Sequence, residues 1–353
     1  MGDVVLSTPL IRALRETYPD AFIAALVRSY ARDVLLHNPH LNEILVDEAE
    51  GQDAGAAGFW RQVRRLRRRK FNVALLLLPT ERLAWMLFAS GIRTRVSVGV
   101  KLYQVLTFMK MVSRHKYVPL RHEADYCLDL GRAVGVQGKD LSTEVFLTEE
   151  ERRMGGEILR SAGIPPGSHA KIILLHPGSG RSSPNWRPEQ YAALANLCLH
   201  DEAAFVVITG GRNEVPLKRA FGLPMPPRLV DLIGSLSVRE LMAVIANSSL
   251  LVSASTGPMH VAAALGIPTV SLFCRMSACS EELWGPKGNR AEIVRPTRLY
   301  CDTRCPGDPH VCEFEEGIFP GQVHERICQV LMHGGDDGAL PGKGLLPNSP
   351  VTR

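Results

Sequence analysis

The sequence predicts an α/β protein with parallel sheets covered by helices on both faces, and three observations predict it. Short runs of Val, Ile and Leu alternate with helical patterns along the whole chain. Those runs are continuous rather than alternating polar and apolar, as expected of strands buried on both faces. The rhythm also occurs twice, on either side of a stretch rich in Gly, Pro and charge, so two units are expected.

In the first half the strands are expected at residues 22–27, 43–47, 71–79 and 95–100, with helices at 9–17, 60–69 and 123–134. The second half repeats the pattern. Strands are expected at 171–176, 204–209, 229–233, 250–253 and 269–273, and helices at 188–199, 238–246 and 258–265. The expected organisation is an N-terminal unit over 1–140, a linker over 141–167 that contains a helix near 149–161, and a C-terminal unit over 168–333. A tail over 334–353 is dominated by Gly, Pro and Asp and is expected to be disordered. Gly2 and Asp3 open directly into a helical pattern with no apolar strand before them, so the first strand of a Rossmann-like half is expected to be missing: either Met1 is an internal methionine of a longer product, the favoured reading, or this half folds without a central strand.

The 353 residues are 45% hydrophobic and 22% charged, an ordinary globular composition with a formal net charge of +5. So mild a positive balance does not point to nucleic acid. No run approaches the roughly 18 apolar residues of a membrane span, and no signal-peptide pattern opens the chain. Eight cysteines, several in apolar segments, read as reduced thiols. Together these predict a cytoplasmic protein. Residues 61–70 carry six arginines and a lysine. A solvated helix face is the first reading, and peripheral contact with an anionic inner-membrane surface or an acidic glycolipid, helped by Trp60 and Leu66, is the second. Cys301, Cys305 and Cys312 lack the paired spacing of a zinc site, so no metal is expected.

The chemistry is expected where strands hand over to helices. In SASTGPMHVAAALG, Thr256 can cap a helix, Gly257 permits close approach and Pro258 suits the first turn. Free amides and the helix dipole would then favour a pyrophosphate, with His260 adding a donor or a positive charge. The turn HPGSGRSS offers small residues, Ser179, Gly180 and Ser183, and the cation Arg181. The turn TGGRNE offers Gly210 and Gly211. Three such turns at strand carboxyl ends suit a nucleotide-sized ligand. Asp3 is the candidate general base, although an Asp before a helix is equally a cap.

The segments GDVVLSTPLIRALRETYPDA, HPGSG with NWRPEQYAALA, ITGGRNE, DLIGSLSVRELMAVIA and STGPMHVAAALGIPTVSLF resemble, in this order, the heptosyltransferases of glycosyltransferase family 9. The resemblance implies a GT-B architecture, two Rossmann-like doubly wound domains facing across a cleft. It also implies metal-independent, inverting transfer from ADP-heptose to the inner core of lipopolysaccharide, with no cofactor beyond the nucleotide sugar. The family's base falls on Asp3, and its donor residues fall on Ser179, Gly180, Thr256, Gly257 and His260. The acceptor side falls on Gly2, Arg121 and His122, the last paired with Glu123. Two positions depart from the family pattern. Ser255 stands where an Asp is usual, and Pro184 where a Lys is usual, with Arg181 or Arg187 as replacement cations. These departures leave two alternatives: a catalytically weakened nucleotide-sugar-binding protein, or a transferase for a different nucleotide sugar. A nicotinamide enzyme is disfavoured, because neither half has a GxGxxG turn with its acidic partner.

Overall fold

The computed structural model describes residues 1–113, 118–165, 170–222 and 224–332. The expected tail lies outside them, as does part of the expected linker. The chain divides into two compact units. One is Leu6–Leu141; the other combines Met1–Val5 with Ser142–Arg353. They are called the N-terminal and C-terminal units below.

The chain opens with α1 (Gly2–Leu6), followed in the N-terminal unit by α2 (Thr8–Thr17), β1 (Ala24–Val27), α3 (Ser29–Leu35), β2 (Glu43–Val46) and α4 (Gly55–Arg69). Then come β3 (Val73–Leu76), α5 (Glu81–Ala89), β4 (Thr94–Val98), α6 (Leu102–Leu106), β5 (Lys110–Val112) and α7 (Glu123–Arg132). The strands form two parallel ladders, β1-β2 and β3-β4-β5. Leu10 and Ala13 of α2 pack with Cys127 and Leu128 of α7 in one core, and Leu45, Val63, Leu66, Leu76 and Met86 build another. Leu66 is therefore inside and unavailable for the surface contact expected of it, whereas Trp60 is half exposed. The arginine-rich run forms the last turns of α4, where Lys70 takes the left-handed conformation that ends the helix.

The C-terminal unit runs α8 (Glu149–Ser161), β6 (Lys171–His176), α9 (Pro188–Cys198), β7 (Ala204–Ile208), β8 (Leu229–Asp231), α10 (Val238–Ala246) and β9 (Leu250–Ala254). It continues with α11 (Gly257–Ala264), β10 (Thr269–Leu272), α12 (Glu281–Trp284), β11 (Ala291–Val294), α13 (Arg298–Thr303) and α14 (Pro320–Met332). Its six strands are all parallel, in the order β11-β10-β9-β6-β7-β8. This is the doubly wound Rossmann order: the chain leaves β6 toward β7 and β8, then returns to build β9, β10 and β11 on the other side. Helix α8, inside the expected linker, belongs to this unit. Its Thr148–Glu151 capping box fixes its start, and Arg239 of α10 pairs with Glu151 and donates to the Phe146 carbonyl at 2.9 Å.

Candidate donor-binding site

Open α/β sheets bind ligands beyond the carboxyl ends of their strands, where the strand order reverses. In the C-terminal unit that point lies between β6 and β9, whose last paired residues are His176 and Ser253. The turns that follow these two strands are HPGSGRSS and SASTGP. They touch directly, the Ser183 hydroxyl donating to the Ser255 carbonyl at 3.3 Å. The turn after β7, carrying Gly210 and Gly211, is their neighbour because β7 pairs with β6. The structure thus brings the three predicted turns to one edge of one sheet.

The turn after β9 enters α11 as expected, with Gly257 and Pro258 in its first turn. One detail differs. The Thr256 side chain makes no capping hydrogen bond and donates instead to Ser253 Oγ at 3.2 Å. The first amides of any α-helix have no partner within it, so here they are not masked by the residue expected to cap them. Helix α11 is buried from Pro258 onward, and His260 is only 4% exposed. Gly2 lies against that histidine, since a Cβ on Gly2 would stand 3.0 Å from His260 Cδ2. Asp3 follows as the exposed residue of the first turn of α1. It was expected on a turn before the helix; here the helix begins one residue earlier.

The turn after β6 is held from several sides. The Arg181 amide donates to Ser179 Oγ at 3.0 Å, Arg181 has a left-handed backbone (φ 54°), and its carbonyl accepts from the His310 ring at 2.6 Å. Asn185 donates to the Pro177 carbonyl and accepts from the Tyr191 hydroxyl, and the Trp186 indole donates to the Ile318 carbonyl. The two candidate replacement cations fare differently. Arg187 is bound by both Glu313 and Glu315. Arg181 is exposed, and it has no carboxylate partner among the described residues.

Sequence reasoning missed Glu214 and His176. A Cβ on Gly178 would overlap the Glu214 carboxylate, which also accepts from the Gly211 amide at 2.5 Å. The third turn therefore satisfies itself and is poorly suited to hold a further anion at Gly211. His176 bonds Thr209 Oγ1 at 3.0 Å. Burial holds its ring below the ordinary histidine range, with Glu214 pulling the other way. Both residues stood inside quoted motifs; the bond of Glu214 to Gly211 is local, but its approach to Gly178 and the bond of His176 to Thr209 depend on β6 lying beside β7.

In the N-terminal unit, His122 caps α7 by accepting from the Ala124 amide at 3.2 Å. Arg121 pairs with Asp125 and Asp129, stacks 4.5 Å from the Tyr126 ring, and shares both carboxylates with Arg132. Burial opposes ionisation of Asp129, yet the two arginines hold its carboxyl below the usual range. All eight cysteines are free thiols, and no group of three or more candidate metal ligands forms among the described residues.

The model of glycosyltransferase family 9 (heptosyltransferase) matches residues 59–305, well over half the chain. The chain belongs to that family. This family member is 25% identical over 297 residues to lipopolysaccharide heptosyltransferase 3 of Escherichia coli, covering 82% of this chain and 84% of that relative. It is 24% identical over 343 residues to lipopolysaccharide heptosyltransferase 2 of Salmonella typhimurium, covering 95% and 97%. A crystal structure of a family 9 glycosyltransferase from Veillonella parvula superposes with a TM-score of 0.79 at 21% identity, covering 94% of each chain. The family 9 chain is thus a glycosyltransferase with two Rossmann-like units of the GT-B class. No helix among its described residues is long and apolar enough to cross a membrane.

Proposed function

We propose that this glycosyltransferase transfers a heptose from ADP-heptose to the inner core of lipopolysaccharide with inversion, at the cytoplasmic face of the membrane that carries the acceptor. The observation that carries the reading is the junction of the two turns at the β6/β9 switch point, where Ser183 meets Ser255 in front of the unmasked start of α11. A pyrophosphate there would be met by backbone amides and the positive end of α11, with the exposed Arg181 of the neighbouring turn as the available cation. His260 would donate a hydrogen bond to the same group.

In the reaction, the acceptor hydroxyl oxygen bonds to the anomeric carbon as the bond from that carbon to the ADP phosphate breaks on the opposite face. The hydroxyl proton passes to the Asp3 carboxylate, and the negative charge leaves with ADP. The packing of Gly2 against His260 supports Asp3 as the base, because it ties the start of the chain to the first turn of α11. The usual Asp and Lys are replaced by Ser255 and Pro184, so sugar specificity would rest on neutral contacts and phosphate charge on Arg181.

The test is incubation of the full chain with ADP-heptose and a lipopolysaccharide core lacking heptose, beside ADP-, UDP- and GDP-linked sugars. A heptosylated product with inverted anomeric configuration, formed only from ADP-heptose, is the expected result. Product from another nucleotide sugar moves the donor assignment, and ADP binding with no product from any donor makes the protein a binder rather than a transferase.

A further inference from the structure

Helix α6 is built inside out. Its buried residue is Gln104, whose Nε2 donates to Ser97 Oγ at 2.6 Å and the Val98 carbonyl at 2.9 Å, while its Oε1 accepts from the Lys101 amide at 2.7 Å. The opposite face, at spacings of three and four residues, carries Leu102, Val105 and Leu106, which are 75%, 50% and 51% exposed. Val100 and Phe108, on either side of the helix, are 75% and 77% exposed. Ordinary surface helices reverse this polarity, and contiguous apolar exposure of this kind marks an interaction surface.

The outward pose is held in place. Buried Arg95 donates to the Thr107 carbonyl at 2.7 Å, so Phe108, in the left-handed conformation, is fixed just beyond it. The Phe108 ring rests 6.2 Å from Phe88, and Arg95 lies over the other ring of that pair. Cations frame the patch: Lys101, Arg93 and Lys110 are exposed, and Arg67 of α4 reaches the Ala89 carbonyl next to Phe88. Residues 82–122 contain no Asp or Glu; of their described Lys and Arg, Arg82 and Arg121 are paired with carboxylates from outside the segment and Arg95 is buried, which leaves Arg93, Lys101 and Lys110 as its exposed cations.

We infer that this face docks on an anionic lipid bilayer, with Leu102, Leu106 and Phe108 entering the boundary between headgroups and acyl chains while the flanking cations meet phosphate headgroups. Projecting apolar side chains ringed by cations, with no carboxylate along the whole segment, complement an anionic interface. A protein partner would need acidic residues of its own around an apolar hollow, and a second copy of this face would bring like charges together. The inference extends the proposed glycolipid acceptor, but it is tested without donor or acceptor, so its failure leaves the transferase reading standing.

The experiment is co-sedimentation of the full chain with vesicles of phosphatidylethanolamine and phosphatidylglycerol, beside vesicles of phosphatidylcholine alone. Binding is expected to the anionic vesicles and to weaken in high salt. A variant with Leu102→Ser, Leu106→Ser and Phe108→Ser should lose about tenfold in partitioning, and Lys101→Gln about fivefold. A second variant, Val105→Trp, should keep the parent's melting temperature, bind more tightly and shift its fluorescence to the blue on anionic vesicles only. Equal binding of the parent chain to both vesicles, or an unshifted V105W emission, would overturn the inference. So would a concentration-dependent dimer that the triple variant abolishes, which would assign the face to self-association.

Discussion

The two parallel sheets of β6–β11 and β3–β5 are made of similar apolar runs but sit in different surroundings. Every residue of β9 and β10 is buried, whereas β3 runs from exposed Val73 to buried Leu76, and in the separate β1-β2 ladder β1 has no fully buried residue. The charged groups differ in the same sense. Arg121 of the N-terminal unit is locked between Asp125 and Asp129, while Arg181 beside the β6/β9 junction has no such partner among the described residues. A rigid, doubly covered sheet can hold turns in register for a ligand, and a cation without a protein counter-ion is available to one. The C-terminal unit, with the first residues of the chain packed on it, is therefore where changes should affect donor binding and chemistry. Changes in the N-terminal unit should act through stability or docking.

The largest effect expected from this contrast concerns Asp3, grouped with the C-terminal unit. Asp3→Asn should reduce kcat by about 10²–10⁴-fold and leave ADP affinity intact, measured by single-turnover transfer and calorimetry. Unchanged turnover would remove Asp3 as the base. Next comes packing: Leu251→Ala, at a site with no exposure, should cost about 2–5 kcal/mol, whereas Val73→Ala, 42% exposed, should cost less than about 1 kcal/mol. Urea unfolding followed unit by unit would measure both, and similar costs would erase the contrast between the sheets.

A smaller effect separates the cations. Arg181→Ala should weaken ADP binding about tenfold, while Arg187→Ala and Arg121→Ala should leave it unchanged and lower the melting temperature instead. The smallest is a pH dependence. Burial lowers the folded-state pKa of His176 below its unfolded value, so the unfolded chain binds the proton first. Stability should be complete above about pH 6.5 and fall as pH drops below it. His176→Asn, which can still meet Thr209, should flatten that fall in melting-temperature profiles, and an unchanged slope would show that other groups govern it.

How much of this was legible in the sequence follows the same division. Strand β6 and helix α10 occupy the expected residues, because a long apolar run and a clean Ser-x-x-Glu cap leave little choice of boundary. The small residues after β6 and β9 mark their turns for the same local reason. Strand β5, only Lys-Met-Val, and helix α6, with its apolar face outward, carry no pattern that a core-seeking rule can find. The occupation of Arg187 by Glu313 and Glu315, and of the Gly178 turn by Glu214, arises between residues distant in sequence, whereas the contact of Glu214 with Gly211 is a local one three residues apart that was legible in the TGGRNE turn. The resemblance to family 9 supplied what local patterns lacked, since the family match spans both units.

The account turns on a nucleotide diphosphate bound at the start of α11. Isothermal titration of ADP into the parent chain and into Gly257→Val measures this most directly, because a side chain at the first residue of that helix would meet Met1, 3.1 Å from the position of its Cβ, and disturb the packing of the turn that presents the helix amides. The account predicts a single ADP site in the parent chain and at least about tenfold weaker binding in the variant with its melting temperature maintained. Equal ADP affinity in the two folded proteins would contradict it.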